Sequence, residues 1–471
     1  MQTGASIYYT TDGSSPTESS SLYTGTMTLT SGTTINAKAF KSGYNPSAVA
    51  AASFTNSQIA KGATYWASPK GGGSCTSARS TSDPGSGYVT MNDGIKCLSS
   101  GDTLILKAGV YTSPHDTNPP SGTPSAYTTI KGEPGQKPIL RYPPSDGGQI
   151  FLFPDNNWHH IAIENLDLDA VNINGPVIKI TCSYSGCPSE AGAHHIRLRD
   201  LIIHHGNIDF KNVTVGTLTM GVLGGGPGLE MYSNNIHHNM YGLYWGGNTA
   251  VIDGNYIHDN AAYGFHFYEG GGKATSVFNN IVRSNLVELN GTDSAYCSSA
   301  LLFSSGADNI AYNNIIRYHR PGTCGSSPGG GGIALVINAV RPKIFNNTIY
   351  GNNTTGIYIG KGIPGSASGA TDAVIRNNIS LFNGRCANCG GNYQNLGSGT
   401  TADHNIFDDA VNPLFVNPSE RGVNNGAGFR LSSGSSPAVN AGADLSSIFT
   451  TDYAGVRRPQ GSGWDIGAYE R

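Results

Sequence analysis

An all-β chain wound as a parallel β-helix is what the sequence predicts, and three observations carry that prediction. Six times the chain repeats an Asn, a variable residue and an Ile: Asn234-Asn235-Ile236, Asn255-Tyr256-Ile257, Asn279-Asn280-Ile281, Asn313-Asn314-Ile315, Asn347-Thr348-Ile349 and Asn377-Asn378-Ile379. Read from their Ile residues, the spacings are 21, 24, 34, 34 and 30, as if a constant rung carried loops of variable length. A second short apolar strand follows several of these signatures, at Gly242-Leu243-Tyr244-Trp245, Gly264-Phe265-His266-Phe267, Gly332-Ile333-Ala334-Leu335 and Gly356-Ile357-Tyr358-Ile359. Two strands per repeat make a solenoid, in which a rung buries its inward side chains only by stacking roughly 4.8 Å above its neighbour. The composition agrees: 65 of 471 residues are Gly and 13% are charged, which suits many turns and few amphipathic helices. Asn fits the sharp corners because it tolerates left-handed backbone and its amide can bond the Asn above and below, so the repeated Asn residues are read as structural.

Taken in order, residues 1–56 alternate short strands with Asp12-Gly13 and Gly43-Tyr44 turns, the pattern of a small β-sandwich. The Tyr8-Tyr9-Thr10-Thr11-Asp12-Gly13-Ser14 run followed by Leu22-Tyr23-Thr24-Gly25 resembles the chitobiase C-terminal-type module that accompanies many secreted glycan-active enzymes. The further strands usual in such modules do not precede it, so a truncated module is expected. Residues 57–64 read as a linker, and residues 65–471 as the solenoid with N- and C-terminal capping segments. Gly101-Asp102-Thr103-Leu104-Ile105-Leu106-Lys107 looks like the opening of right-handed β-helix proteins. Early rungs follow near Ile161 and Ile196. The ending, with Ser436-Pro437-Ala438-Val439-Asn440 and Asp465-Ile466-Gly467-Ala468-Tyr469-Glu470, looks like the close of secreted β-helix proteins of the pectate-lyase-like superfamily. That resemblance implies a right-handed parallel β-helix.

A net charge of −3 without a basic cluster gives no case for nucleic-acid binding, and no apolar run approaches the roughly 18 residues of a membrane helix. Eight cysteines fall into local pairs, Cys75 with Cys97, Cys182 with Cys187, Cys297 with Cys324 and Cys386 with Cys389. Four short-loop disulfides are expected, which points outside the cytoplasm. For Cys386-Ala387-Asn388-Cys389 a zinc or redox motif is the rival, but no second matching pair accompanies it. Met1 leads straight into strand-like sequence, so a signal peptide is expected to be removed or to lie upstream. A monomer is expected, and with no dense Asp cluster the sequence demands no cofactor, Ca²⁺ staying open.

Stacking turns equivalent positions into outward columns, and polar columns are where chemistry is sought. Aligned on the signature Ile, one column reads His204, His237, His258, Val282, Ile316, Tyr350, and the next His205, His238, Asp259, Arg283, Arg317, Gly351. On the second strand the outward column reads Tyr244, His266, Leu302, Ala334, Tyr358. The densest point is Tyr263-Gly264-Phe265-His266-Phe267-Tyr268-Glu269, followed by three Gly residues. With Phe265 and Phe267 inward, alternation turns His266 and Tyr268 outward beside Glu269. This segment is similar to the active-site rung of mannuronan C5-epimerases, Tyr-Gly-Phe-Asp-Pro-His-Asp. Tyr263, Gly264 and Phe265 match it; His266, Phe267, Tyr268 and Glu269 stand where the motif has Asp, Pro, His and Asp.

β-Elimination from a uronic acid needs a cation or donor for the carboxylate, a base for the C5 proton and an acid for the leaving oxygen. Arg283, His266 and a Tyr from position 244 or 268 are candidates for those roles, with Glu269 tuning them. Tyr244, His237, His258, Asp259, Arg317 and Tyr358 are candidate substrate-binding residues. Asp259 and Arg283 serve equally well as a surface ion pair on successive rungs. A hydrolase would need two carboxylates, about 5 to 5.5 Å apart for retention or about 6.5 to 9.5 Å for inversion, drawn from Glu269, Asp259, Glu288 and Asp293; no paired-Asp motif supports it, and Glu288 and Asp293 read as loop residues before Cys297. Tyr312 and Tyr318 also suit sugar stacking, whereas Trp245 reads as core. The expectation is a secreted, carbohydrate-active protein on an extracellular polysaccharide: a lyase first, a non-catalytic binding solenoid second, a glycoside hydrolase third, with a structural or adhesion role open.

Overall fold

The computed structural model describes residues 5–23, 33–41, 43–54, 62–113, 119–143, 148–154, 158–181, 190, 192–205, 219–268, 276–292, 298–320, 330–361, 369–385, 389–419 and 426–471. The chain divides into two compact units, Met1–Gly62 and Ala63–Arg471. In the first, the described residues form one four-stranded antiparallel sheet, with Ser6–Thr10 between Ser21–Leu22 and Thr33–Phe40 and with Ala50–Phe54 at the far edge.

The second unit is a right-handed parallel β-helix. Its described strands form three parallel sheets of 12, 10 and 9 strands, and beyond the first turns at the N-terminal end each sheet takes every third strand of the chain. One rung shows the pattern: Val251–Asp253 lies in the first sheet, Tyr256–His258 in the second and Phe265–Phe267 in the third, before Ile281–Arg283 returns to the first. A rung therefore carries three strands where the sequence displays two, because from Glu230–Tyr232 onward the first-sheet strands hold only three residues and one inward side chain each. Inward residues such as Ile252, Ile257, Phe265 and Phe267 are fully buried and stack into one continuous core.

Two columns of corners explain the Asn repeats. Between the first and second sheets, Asn234, Asn255, Asn285, Asn314, Asn347, Asn378 and Asn405 form a ladder with sequence steps of 21, 30, 29, 33, 31 and 27. Each backbone N–H and each Nδ2 donates to Oδ1 of the next Asn, as Asn255 does to Asn285 at 2.9 Å and 2.9 Å. The residue before each ladder Asn, for example Ser233, Gly254, Ser284 and Asn313, takes the left-handed conformation that bends the chain. The six signatures thus mix registers. In Asn234, Asn255 and Asn347 the first Asn is laddered and the Ile points inward. In Asn313-Asn314-Ile315 and Asn377-Asn378-Ile379 the second Asn is laddered and the Ile points outward. Asn279-Asn280-Ile281 sits at a different corner, leading into the first sheet. The uneven 24 and 34 spacings come from that mixing.

The N-terminal end is closed by helices Cys75–Ala78 and Met91–Cys97, joined by the Cys75–Cys97 disulfide. Cys389 is disulfide-bonded as well; Cys182, Cys187, Cys297, Cys324 and Cys386 lie outside the described residues. The C-terminal segment does more than cap the end. Residues 426–471 fold back across the outward faces of the first and second sheets, where Phe449 and Trp464 pack on Ile310, Tyr312 and Phe345, and Phe429 and Tyr469 pack on Leu286 and Ile315. Arg458, a fully buried residue of this segment, pairs with Glu470 at 2.9 Å and donates to Asn313 Oδ1 at 3.2 Å. No helix among the described residues is long and apolar enough to cross a membrane.

Candidate functional site

The outward column of the third sheet runs Leu152, Lys179, Leu223, Tyr244, His266, Leu302, Ala334, Tyr358, Gln394 in unbroken register. Phe265 and Phe267 anchor the strand by their burial, so alternation forces His266 outward. There it meets three tyrosines. Tyr244, one rung back, has its ring centroid 4.7 Å away; Tyr263, from the preceding corner, 4.7 Å; and Tyr268, at the strand's end, 5.6 Å. Tyr241 packs on Tyr263 and Tyr244 behind them. His266 Nε2 is 2.8 Å from the hydroxyl of Ser304 on the next rung. Its Nδ1 is buried and has no partner among the described residues. Loss of hydration pushes the imidazole down to about 3, so it is neutral at physiological pH. The result is a neutral histidine in an aromatic cage, with one ring nitrogen that has no partner among the described residues.

Other expected partners are placed elsewhere. Arg283 lies on the first sheet, not beside His266. It donates to Asp253 at 3.0 Å and to the Tyr312 hydroxyl at 3.0 Å, and with Arg430, Asp452 and Tyr453 it lines a cleft of about 710 Å³ under the C-terminal segment. Asp259 pairs with its neighbour His258 at 2.8 Å, so the expected Asp259–Arg283 pair does not form. Tyr358, only 2% exposed, packs with Leu302, Ala334 and Val336 and offers no open ring face. Glu269 and Asp293 lie outside the described residues. Trp245 is core, as expected, and Tyr312 is buried against Phe449.

The second sheet's outward column reads Asp169, His204, His237, His258, Glu288, Arg317, Tyr350. Val282 and Ile316 do not belong to it; Glu288 and Arg317 take the two positions after His258. Glu288 is a strand residue with no exposure, bonded to Arg317 Nε at 2.5 Å and to the Tyr256 hydroxyl at 2.5 Å. Arg317 is 1% exposed and lies over Phe429, so it braces the C-terminal segment and cannot meet a polymer. His204, His237 and His258 stack at 5.1 and 4.9 Å, and burial with neighbouring imidazoles pushes His237 down to about 3. Sequence reasoning missed Lys179, the one cationic side chain on the described third-sheet strands, as well as Ser304 and the caging role of Tyr263. Lys179 would have emerged had the rung near Ile178 been placed in register.

Comparison with known proteins agrees with this architecture. Residues 1–51 match the model of the chitobiase/beta-hexosaminidase C-terminal domain. No curated protein matches the chain in sequence. Among solved structures, the complex of XylC with xylose aligns at a TM-score of 0.52 and 10% identity, covering 87% of this chain and 99% of that one. The chain is a parallel β-helix protein. Pectate lyase Pel9A aligns at 0.45 and 18% identity over 87% and 96% of the two chains, and the A-module of the Azotobacter vinelandii mannuronan C-5 epimerase AlgE4 at 0.37 and 12% over 65% and 84%. At 10% identity what is shared with XylC is the fold, and activity has to be argued from the site.

Proposed function

We propose that the protein is a secreted carbohydrate-active enzyme that takes an extracellular, uronate-containing polysaccharide along the third-sheet face and abstracts its C5 proton in β-elimination. The observation that carries this reading is the buried Nδ1 of His266, without a partner among the described residues, inside the Tyr244–Tyr263–Tyr268 cage. Buried polar atoms are nearly always bonded, so one that is not calls for an explanation, and a ligand or a proton that completes it is one such explanation. Tyrosine faces cover sugar C–H surfaces, and a phenol within reach is a proton donor for the leaving oxygen. A neutral imidazole is ready to accept a proton, and the uronate carboxylate, arriving beside it, raises its proton affinity. Lys179 lies in the same column, three strands from His266, and is the described side chain suited to a carboxylate along the chain. The Cys75–Cys97 disulfide supports an oxidising, extracytoplasmic location.

A second reading, polysaccharide binding without turnover, is favoured by one observation: Arg283, the expected carboxylate partner, is on another sheet. Incubation with a panel of acidic and neutral polysaccharides separates the two. Elimination yields ultraviolet-absorbing unsaturated ends, and His266→Gln should lower their rate by about 10²-fold or more. Retained affinity with no new ends in the parent protein would leave the binding reading, and saturated reducing ends would point to hydrolysis.

A further inference from the structure

Away from the third sheet, the chain places adjacent histidines in a repeated geometry. At His204-His205 the first residue ends a second-sheet strand and the second takes the left-handed conformation, with φ 59°, at the corner. That bend folds the second side chain back, and the two Nδ1 atoms face each other at 2.7 Å. The same arrangement occurs at His237-His238, again at 2.7 Å. His194-His195 repeats it at 2.7 Å with Glu190 close by, and at His204-His205 carboxylates from the adjoining rung complete the set. Strand Asp167–Asp169 pairs with Ile202–His204 so that Asp169 lies opposite His204.

Each carboxylate has a distinct position. Asp167 Oδ1 is 2.6 Å from His204 Nε2, and because a carboxylate only accepts, Nε2 carries the hydrogen. The lone pair of His204 is then on Nδ1, the atom aimed at His205. Asp169 Oδ1 lies 3.3 Å from His205 Nδ1, while Asp169 Oδ2 is held by Arg141 at 2.6 Å. Two imidazole nitrogens and one carboxylate oxygen therefore converge, all ligand atoms lying within 4.8 Å of one another. A tetrahedral ion with bonds of about 2.0–2.1 Å separates its ligands by roughly 3.3 Å, so the Asp169–His205 spacing already fits and the two rings need open by only a fraction of an ångström. His205 is partly exposed, so it can carry its proton on Nε2 towards solvent and leave Nδ1 free to ligate. Carboxylate-fixed tautomers and a guanidinium-held carboxylate are the outer supports that orient metal ligands.

We propose that Asp169, His204 and His205 form a zinc-type divalent-metal site with one open position, oriented by Asp167 and Arg141, that ties two successive rungs together. Nitrogen-rich ligation of this kind suits zinc, with cobalt(II) as a spectroscopic stand-in, and not the all-oxygen coordination of calcium.

The test uses the full chain, stripped with a chelator and titrated with zinc against a chromophoric competitor, with Tm followed in parallel. The parent is expected to take up zinc and gain Tm. His205→Asn, which keeps a residue tolerant of left-handed backbone, is expected to lose one equivalent. Asp167→Asn is expected to bind about 10–100-fold more weakly at unchanged metal-free Tm, and it carries the test if His205→Asn does not fold. Cobalt(II) in the parent should give the intense visible absorption of a four-coordinate site. His194→Ala is the control, since Glu190, His194 and His195 form another histidine–carboxylate group. Zinc uptake unaffected by both His205→Asn and Asp167→Asn, uptake abolished only by His194→Ala, or no uptake by the parent would each overturn the proposal.

Discussion

His266 holds its ring neutral by burial, at about 3 against an unfolded imidazole near 6.5, and His319, also buried, is pushed down to about 4 by desolvation. Between those values the unfolded chain binds protons that the folded chain does not, so stability falls as pH drops from about 6.5 towards 3. Among the described residues, the groups around His266 are Tyr244, Tyr263, Tyr268 and Ser304, none of which supplies a charge to oppose this. A Tm series from pH 7 to 4 should show the loss, and His266→Gln should flatten the curve. At this scale the sequence was readable where strand alternation is strict: Phe265 and Phe267 frame His266, and Tyr244 falls beside it. It misled at Arg283 because Asn-x-Ile recurs at different corners, and only the hydrogen-bonded register distinguishes them. Tyr244→Ala tests the aromatic face: glycan affinity should fall while Tm changes little, because that ring is only partly buried.

The ladder and the buried ion pair carry the stability of single rungs. Asn285 accepts from Asn255 N and Nδ2 and donates to the Ile252 carbonyl, all in the buried interior. Asn285→Ala should strand those groups at about 1–3 kcal/mol each, read as a lowered midpoint in chemical denaturation. Removing Arg317 leaves Glu288 charged and enclosed. Arg317→Ala should therefore destabilise by about 3–5 kcal/mol, and adding Glu288→Gln should recover much of that loss. The Asn residues advertised corners in the sequence, but three-residue strands carry too little alternation to reveal a third sheet. Glu288 looked like a loop residue because its partner, Arg317, is 29 residues away.

At the scale of the whole molecule, the sequence displayed a solenoid plainly, since each rung repeats the same inward pattern. It did not show where residues 426–471 lie. Their contacts with Ile310, Tyr312, Phe345 and Asn313 join distant parts of the chain, and no local periodicity records them. Deleting this segment should expose those apolar faces and the Glu288–Arg317 pair, giving a lower Tm and concentration-dependent aggregation in light scattering. The fold-back also separates two faces: the first sheet is covered and holds the Arg283 cleft, while the third carries the His266 cage. The central claim is that the third-sheet face receives the polysaccharide. Hydrogen–deuterium exchange with and without an oligouronate tests it directly. Protection at Tyr241–Trp245 and Phe265–Phe267 is the predicted result; protection confined to residues 281–284 and 448–455, with none around His266, would contradict it.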